Sequence, residues 1–164
     1  MPSSYHFCPN CANPLTWKET PERNYQGCSS CGFIHYNNPV PVVAAIVEHE
    51  GAIVLARNKA WPADWFALIT GFLEQNETPE DAVVREVEEE LNLKGKIASL
   101  VGVYTSFQRN QVYIAYHVVA EGTIVLNEEL AEYKHVPPAE LKPWAFGTGP
   151  ALKDWMERRN TAQS

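Results

Sequence analysis

The pattern of apolar and polar residues predicts strands in the middle of the chain. A nearly continuous apolar run at residues 42–47 predicts a buried strand, Glu50 and Gly51 predict a turn, and residues 53–56 predict its antiparallel partner. Further strands are predicted at residues 97–107 and 112–119, and a closing helix at residues 149–159. Strands mixed with helices indicate an α/β (α+β) sandwich.

A further helix is predicted to begin after Thr78. Thr78 is a good N-cap residue, Pro79 suits the first helical position, and Asp81 stands where a capping-box acid reaches back. At about 100° per residue, the helix carries two adjoining stripes. The acidic stripe contains Glu86, Glu89 and Glu90, and the apolar stripe contains Val84, Val87 and Leu91. The apolar stripe is expected to face the core, which leaves three carboxylates directed at one place.

Charge is concentrated in the same segment. Residues 74–90 contain eight acidic residues and one arginine, so this segment accounts for the whole formal charge of −7. Such a run is often a solvated surface, but Glu86 and Glu90 face each other at i,i+4, which is unfavourable unless a cation intervenes. Gathered carboxylates are ligands that Mg²⁺ or Mn²⁺ prefers, so both interpretations stay open.

Composition limits the classes of function. The 164-residue chain is 45% hydrophobic and has a net negative charge, which is typical of a globular protein and argues against nucleic-acid binding. No apolar run approaches the ~20 residues of a membrane-spanning helix, so no membrane partner is predicted. The first residues show no secretory signal, and a cytoplasmic location is expected.

All four cysteines lie near the N-terminus, in two Cys-X-X-Cys pairs. Cys8 and Cys11 form the first pair, and Cys28 and Cys31 form the second. This spacing predicts a tetrathiolate Zn²⁺ site, with two disulfides, a redox dithiol or unrelated core cysteines as weaker alternatives. We therefore predict a structural zinc ribbon at residues 1–36, a linker at residues 37–41 and a main domain at residues 42–164.

The predicted ribbon lacks the charge expected of a nucleic-acid-binding module. Residues 1–36 contain two basic side chains, Lys18 and Arg23, and two acidic ones, Glu19 and Glu22, which sum to zero. A structural or dimer-forming role is therefore favoured, and contact with a single strand stays a minor alternative.

The acidic helix and the loop before it resemble a known motif. Gly71, Glu77, Arg85-Glu86, Val87, Glu89-Glu90 and Leu93 match the Nudix box, which spans residues 71–93 here. The chain departs from the family pattern at Asn76 and Asn92, where the family has glycine. The resemblance covers residues 42–141 and implies the Nudix fold, an α/β/α sandwich with a mixed sheet. It also implies a homodimer.

The resemblance implies specific roles for these residues. Family members use Mg²⁺ or Mn²⁺ to hydrolyse a nucleoside diphosphate linked to another moiety. The implied metal ligands are Glu86, Glu89, Glu90, the Thr70 carbonyl and a downstream acid, for which Glu129 is the candidate and Glu132 the alternate. Arg85 and Glu77 would pair to orient the catalytic carboxylates. Glu89 is the favoured general base, with Glu86 second.

A zinc ribbon before a Nudix domain is similar to the arrangement in NADH and FAD pyrophosphatases. The Ser-Gln-Pro-Trp-Pro-Phe-Pro signature of NADH enzymes is absent, so FAD, NADH and ADP-ribose are all candidate substrates. Residues proposed to bind the substrate are Arg57, Arg109, Phe72 and Phe107. Two alternatives remain: a nucleotide-sensing protein without hydrolysis, and a hydrolase that the ribbon directs to capped RNA ends.

Overall fold

A computed structural model describes residues 5–21 and 24–162. The chain divides into two compact units, one ending at Pro39 and the other beginning at Val40. This division falls inside the segment predicted as a linker, residues 37–41. Glu22 and Arg23, which enter the charge balance of the ribbon, lie outside the described residues.

The N-terminal unit is a small antiparallel sheet. Its strands are β1 (Thr16–Glu19), β2 (Asn24–Gly27) and β3 (Ile34–His35), paired in the order β1-β2-β3. The two cysteine pairs lie in equivalent turns, because the Ala12 amide donates to the Cys8 carbonyl (2.9 Å) as the Gly32 amide donates to the Cys28 carbonyl (3.0 Å). Ala12 and Gly32 both have positive φ, 56° and 77°. The unit thus presents two matched turns.

The second unit contains six strands and two helices. They are β4 (Val40–His49), β5 (Ala52–Asn58), β6 (Ile69–Phe72), α1 (Pro79–Leu91), β7 (Lys94–Ser106), β8 (Gln111–Glu121), β9 (Leu130–Val136) and α2 (Gly149–Ala162), with a 3₁₀ turn at Pro138–Glu140. The predicted β4–β5 hairpin, the strands at β7 and β8 and both helices are present. No described helix is long and apolar enough to cross a membrane.

The strands form one mixed sheet in the order β7-β8-β4-β5-β9, with β6 also paired to β4. β4 is parallel to β8 along its length and antiparallel to its other partners. On the opposite edge, residues 42–45 of β4 pair with β6, and residues 47–49 pair with β5. That edge is therefore divided between two strands, and the residues of β6 enter the site described below.

Both faces of the central strand are buried. Val43, Ala45 and Val47 of β4 pack in one cluster with Val87 and Leu91 of α1. The alternate residues of β4, which are Val42, Ala44 and Ile46, pack in a second cluster with Leu152 and Trp155 of α2. Burial on both faces explains why β4 reads as a continuous apolar run. The predicted α/β/α sandwich with a mixed sheet is confirmed.

Helix α1 begins where the sequence predicts, directly after Thr78, and ends at Leu91. The Asp81 amide donates to Thr78 Oγ1 (3.1 Å), which caps the first turn. Asn92 ends the helix in the left-handed conformation, at φ 58° and ψ 30°, and its amide donates to the Glu88 carbonyl (2.8 Å). Tyr116 of β8 donates its hydroxyl to Glu80 (2.8 Å), which ties the first turn of α1 to the sheet.

Candidate active site

Strand β6 and helix α1 together form one wall of a polar cavity of about 440 Å³. Residues from both elements and from two later loops line it: Thr70, Gly71, Phe72, Arg85, Glu86, Glu89, Glu90, Arg109 and Glu129. The cavity is therefore lined by every residue that the resemblance implies as a metal ligand, apart from the alternate Glu132. Glu129 lies in the loop just before β9.

Gly71 allows the Glu86 carboxylate to lie directly against β6. A Cβ atom at position 71 would lie 1.8 Å from Glu86 Cδ and 1.9 Å from Glu86 Oε1, far inside any allowed contact. Only glycine therefore permits this approach. The side chain of Glu86 is mostly buried there, so it has little freedom to retreat.

Arg85 links four oxygen-bearing groups around the cavity. Its guanidinium donates to both oxygens of Glu77 (2.8 and 3.1 Å), to Glu86 (2.7 Å), to Glu89 (3.1 Å) and to the Phe72 carbonyl (3.2 Å). Glu77 also accepts from the Glu74 amide (2.7 Å). These bonds to Arg85, and then to Glu74, lower the pKa of Glu77 below its ordinary value. Arg85 and Glu77 thus fasten the loop before α1 to the helix.

Glu90 is the most strongly perturbed carboxyl group of the cavity. Burial raises its pKa to about 8, and repulsion from Glu86, Glu129 and Glu89 acts in the same direction. Burial also raises the pKa of Glu86, against the opposing effect of Arg85. Buried carboxyl groups that repel one another fit a site for a divalent cation, which would stabilise their charged forms.

The carboxylates line the same cavity without converging on a single point. Among the described residues, no three of them have oxygens that all lie within 4.8 Å of one another. Arg85 Nη1 instead holds both Glu86 and Glu89, and the Glu89 side chain is 58% exposed. Glu89 therefore has room to turn towards a cation, and the donor set suits Mg²⁺ or Mn²⁺.

The raised pKa of Glu90 leads to a prediction about stability. In the folded chain Glu90 binds a proton up to about pH 8, whereas its ordinary pKa is 4.5. The folded state binds more protons in this window, so without Mg²⁺ the free energy of unfolding should fall as pH rises from about 5 to about 8. Urea denaturation at several pH values, with and without Mg²⁺, measures this, and Mg²⁺ should remove most of the decline.

Glu90→Gln provides the control, because glutamine does not titrate. Its unfolding free energy without Mg²⁺ should show a clearly smaller decline over the same window. An identical decline in both proteins would mean that other groups cause it.

A second, largely apolar cavity of about 260 Å³ adjoins the first. Trp61, Trp65, Trp144 and Phe146 line it, and it shares Thr70, Arg109 and Tyr113 with the polar cavity. The rings of Trp65 and Phe146 lie 6.1 Å apart, and Trp65 is 50% exposed in the loop between β5 and β6. The shared residues place the two cavities side by side.

Two of the four residues proposed to bind substrate line the cavities, and two do not. Phe72 lines the polar cavity and Arg109 lines both cavities, whereas Arg57 and Phe107 line neither. Phe107 is 91% exposed. Arg57 donates to Glu132 (2.7 Å) and to the Trp61 carbonyl (3.4 Å). Glu132, the alternate metal ligand, lies within β9 and pairs with Arg57 rather than lining the cavity.

Sequence reasoning missed several residues that line these cavities. Trp144, Phe146, Gln111 and Asn127 carry no motif spacing and come from separate segments. Trp61 and Trp65 are rings that can stack on a base, but no spacing in the sequence distinguishes them from aromatic residues of the core.

The four cysteines form a compact cluster in the N-terminal unit. Their sulfur atoms all lie within 4.8 Å of one another, with Cys8 and Cys31 at 3.5 Å and Cys11 and Cys28 at 3.5 Å. These separations exceed a disulfide bond and resemble the ~3.8 Å between sulfurs around tetrahedral zinc. Asn13 donates to Cys11 Sγ (3.4 Å) and lowers its pKa to about 6, which favours the thiolate. The cluster fits a zinc ribbon.

Known proteins resemble this chain in sequence and in fold. ADP-ribose pyrophosphatase from Methanocaldococcus jannaschii is 34% identical over 131 residues, which cover 76% of this chain and 78% of that protein. NAD-capped RNA hydrolase NUDT12 from Homo sapiens is 38% identical over 100 residues, which cover 56% of this chain but only 22% of that protein. The crystal structure of a NUDIX hydrolase from Nitrosomonas europaea matches with a TM-score of 0.79 at 27% identity, covering 96% of this chain and 93% of that one.

A family model also matches this chain. The NUDIX domain model matches residues 38–156, which is well over half of the chain. The matched range includes β6, the whole of α1 and the loop that carries Glu129. The chain therefore belongs to the NUDIX family.

Proposed function

We propose that this protein hydrolyses the pyrophosphate bond of a nucleoside diphosphate linked to another moiety, such as ADP-ribose, FAD or NADH. The observation that carries the proposal is the buried carboxyl group of Glu90, which Glu86, Glu89 and Glu129 repel and whose charged form a bound cation would stabilise. The proposed ligands are Glu86, Glu89, Glu90 and Glu129, with the carbonyl of Thr70.

The residues around the cavity have different roles in hydrolysis. Bound Mg²⁺ or Mn²⁺ would neutralise charge on the two phosphates and lower the pKa of the attacking water. Arg85 and Glu77 hold the loop and the carboxylates in place, and Arg109 offers a positive charge to the substrate. Glu89 accepts a proton from the water while the oxygen of that water attacks phosphorus. The bond between this phosphorus and the bridging oxygen then breaks. Glu86 is the alternative base.

The apolar cavity supports a substrate with an aromatic or sugar portion beside its pyrophosphate. A pyrophosphate in the polar cavity would leave the rest of the molecule next to Trp61 and Trp65, across the shared residue Arg109. Rings of this kind stack on nucleobases. The 34% identity to an ADP-ribose pyrophosphatase supports the same class of substrate.

A substrate panel tests the proposed function. Purified protein with Mg²⁺ or Mn²⁺ is given ADP-ribose, FAD, NADH, nucleotide sugars or nucleoside triphosphates, and the products are identified. We expect a nucleoside monophosphate and a phosphorylated remainder from at least one linked diphosphate, and no turnover without the divalent ion. Nucleotide binding without turnover of any compound would support a sensing protein instead.

Arg109→Ala is expected to raise the KM for the preferred substrate on the order of tenfold, with a smaller change in kcat. The reason is that Arg109 lines both cavities and forms no ion pair within the described parts of the chain. It is therefore available to a substrate phosphate. Steady-state kinetics measure the effect, and Arg158→Ala, an exposed arginine on α2, is the matched control. Equal KM values for both variants would exclude Arg109 from substrate binding.

We also propose that the cysteine cluster holds a structural Zn²⁺. A structural zinc contributes on the order of 10 kcal/mol to so small a unit, so Cys28→Ser should unfold it. Amide NMR signals from the N-terminal unit should lose dispersion, and bound zinc should fall by one ion per chain. Ser29→Ala, in the same turn, should retain both. Dispersed ribbon signals in zinc-free protein would contradict the proposal.

A second candidate function is the removal of caps from RNA. The supporting observation is the identity to NAD-capped RNA hydrolases, although this chain spans only about a fifth of NUDT12. The experiment compares kcat/KM for NAD-capped RNA and for free NADH. A clear preference for the capped RNA would favour this candidate, and equal values would favour the small molecule.

A further inference from the structure

Two histidines and a glutamate meet at one end of the sheet. His49 is the last residue of β4, Glu50 follows it in the turn, and His135 lies in β9. One ring nitrogen from each histidine and one carboxylate oxygen of Glu50 all lie within 4.8 Å of one another. The three side chains are thus close enough to share a single ion.

This cluster is separate from the proposed active site. Gly71 pairs with Val43 near the beginning of β4, whereas His49 lies at the end of the strand. Six residues of extended strand separate them, which corresponds to about 20 Å. None of the three clustered residues lines either cavity described above.

The ring of His49 is held in one orientation. It is only 5% exposed, and its Nε2 lies 3.0 Å from the carbonyl oxygen of Gly122. Since a carbonyl oxygen can only accept, Nε2 carries the proton and the lone pair of Nδ1 faces His135. A histidine whose second nitrogen donates to a backbone carbonyl is typical of metal ligands, because that bond fixes both the tautomer and the ring.

The ring of His135 is also positioned by its neighbours. Its plane is nearly parallel to that of the His49 ring, with an interplanar angle of 16° and ring centroids 5.1 Å apart, and the ring of Tyr133 meets it edge-on at 5.5 Å. Its Nε2 lies 2.9 Å from His49 Nδ1. The ring remains accessible to solvent on its outer side.

Glu50 occupies a backbone position that is unusual for its type. The β4–β5 turn consists of Glu50 and Gly51, both with positive φ, 52° and 78°. Turns of this kind favour asparagine, aspartate or glycine at the first position, so a glutamate there is strained. Such strain is often kept where a side chain has a task, and here the turn places the carboxylate beside the two histidines.

We propose that His49, Glu50 and His135 bind a divalent transition-metal ion of the zinc, nickel or cobalt class. Two imidazoles and one carboxylate suit these ions, and the exposure of Glu50 and His135 leaves a position for water. Tetrahedral zinc needs the two nitrogens about 3.3 Å apart, so the pair must open by about 0.4 Å. The proton on His135 Nε2 moves to Nδ1, which leaves the ring neutral.

Titration with Zn²⁺ tests the proposal. The protein is prepared with one zinc already in the ribbon, and excess Mg²⁺ is present to occupy the carboxylates of the polar cavity. Calorimetry should then detect one further zinc per chain. His135→Gln and Glu50→Gln should each weaken this event at least tenfold. Both residues are exposed, so their replacement should leave the fold intact, which circular dichroism checks.

His6→Gln is the matched control, because His6 is an exposed histidine outside the cluster. It should leave the second binding event unchanged. Histidine ring NMR signals provide a second measurement, and those of His49 and His135 should shift with zinc while that of His117 stays constant. If no second zinc binds, or if it binds equally well to both cluster variants, the histidines form only a hydrogen-bonded pair and the proposal is wrong.

Discussion

Glu90→Gln should reduce kcat for pyrophosphate hydrolysis by on the order of 10²- to 10³-fold. Glu90 is the carboxyl group that burial and three neighbouring glutamates perturb most, and its negative charge is what a divalent ion would compensate. Glutamine keeps the size of the side chain but removes that charge, so the cation is held more weakly where the phosphates react. Steady-state kinetics at saturating substrate and several Mg²⁺ concentrations measure the loss.

Glu88→Gln is the matched control for this experiment. Glu88 is on the same helix, is exposed and does not line the polar cavity. Its kcat should stay within about twofold of the original value. Without Mg²⁺ and above about pH 8, where Glu90 loses its proton and repels its neighbours, the Glu90 variant should also be at least as stable as the original. Full activity in the Glu90 variant would rule out the proposed metal site.

Gly71→Ala should lower kcat by on the order of 10²-fold while the protein still folds. The new methyl group would overlap the carboxylate of Glu86, which lies 1.8 Å from the Cβ position. The Glu86 side chain is also held by Arg85, so it must leave both its place and its partner. The expected result is a folded protein whose catalytic carboxylate is displaced, measured by kcat together with circular dichroism.

A double variant shows whether Gly71 acts through Glu86. If it does, Gly71→Ala combined with Glu86→Gln should be no slower than Glu86→Gln alone, because the second change removes what the first displaces. If the losses in kcat of the two single variants multiply in the double variant, Gly71 acts independently of Glu86, for example because the substitution shifts β6. The backbone of β6 would then affect kcat by a route other than its contact with Glu86.

The sequence predicted α1 and its surroundings well because the signals there are local. Thr78, Pro79 and the apolar stripe determine where the helix begins and which face is buried. Asn76 and Asn92 depart from the glycines of the family pattern, yet both have positive φ, 67° and 58°. Asparagine tolerates this conformation better than other side chains do, which explains how the loop and the helix end are kept.

Strands β6 and β9 were not predicted, for two different reasons. β6 has only four residues and includes Gly71, so no periodicity can develop. β9 is an edge strand whose side chains are mostly exposed, so it lacks the alternation of a half-buried strand. Pairing between distant strands, such as β4 with β8, depends on the whole fold and has no local signal.

Part of the site was also hidden from the sequence. Glu86, Glu89 and Glu90 share helix α1, so their position along one wall of the polar cavity follows from helical geometry. Trp65 and Phe146, in contrast, are brought together from distant segments. The same holds for His49 and His135, which lack any metal-binding spacing and meet only because β9 follows β5 in the sheet. Tertiary proximity of this kind cannot be read from spacing.

The two adjoining cavities have separate structural origins, which affects how selectivity can change over time. The proposed acidic ligands come mainly from α1, whereas Trp65 and Phe146 come from loops outside that helix. If the substrate binds as proposed, mutations in those loops would change which group beside the pyrophosphate is accepted and would leave the proposed metal ligands in place. A hydrolase with this arrangement could thus acquire new substrates through single substitutions in the loops. Each intermediate would still cleave the pyrophosphate bond.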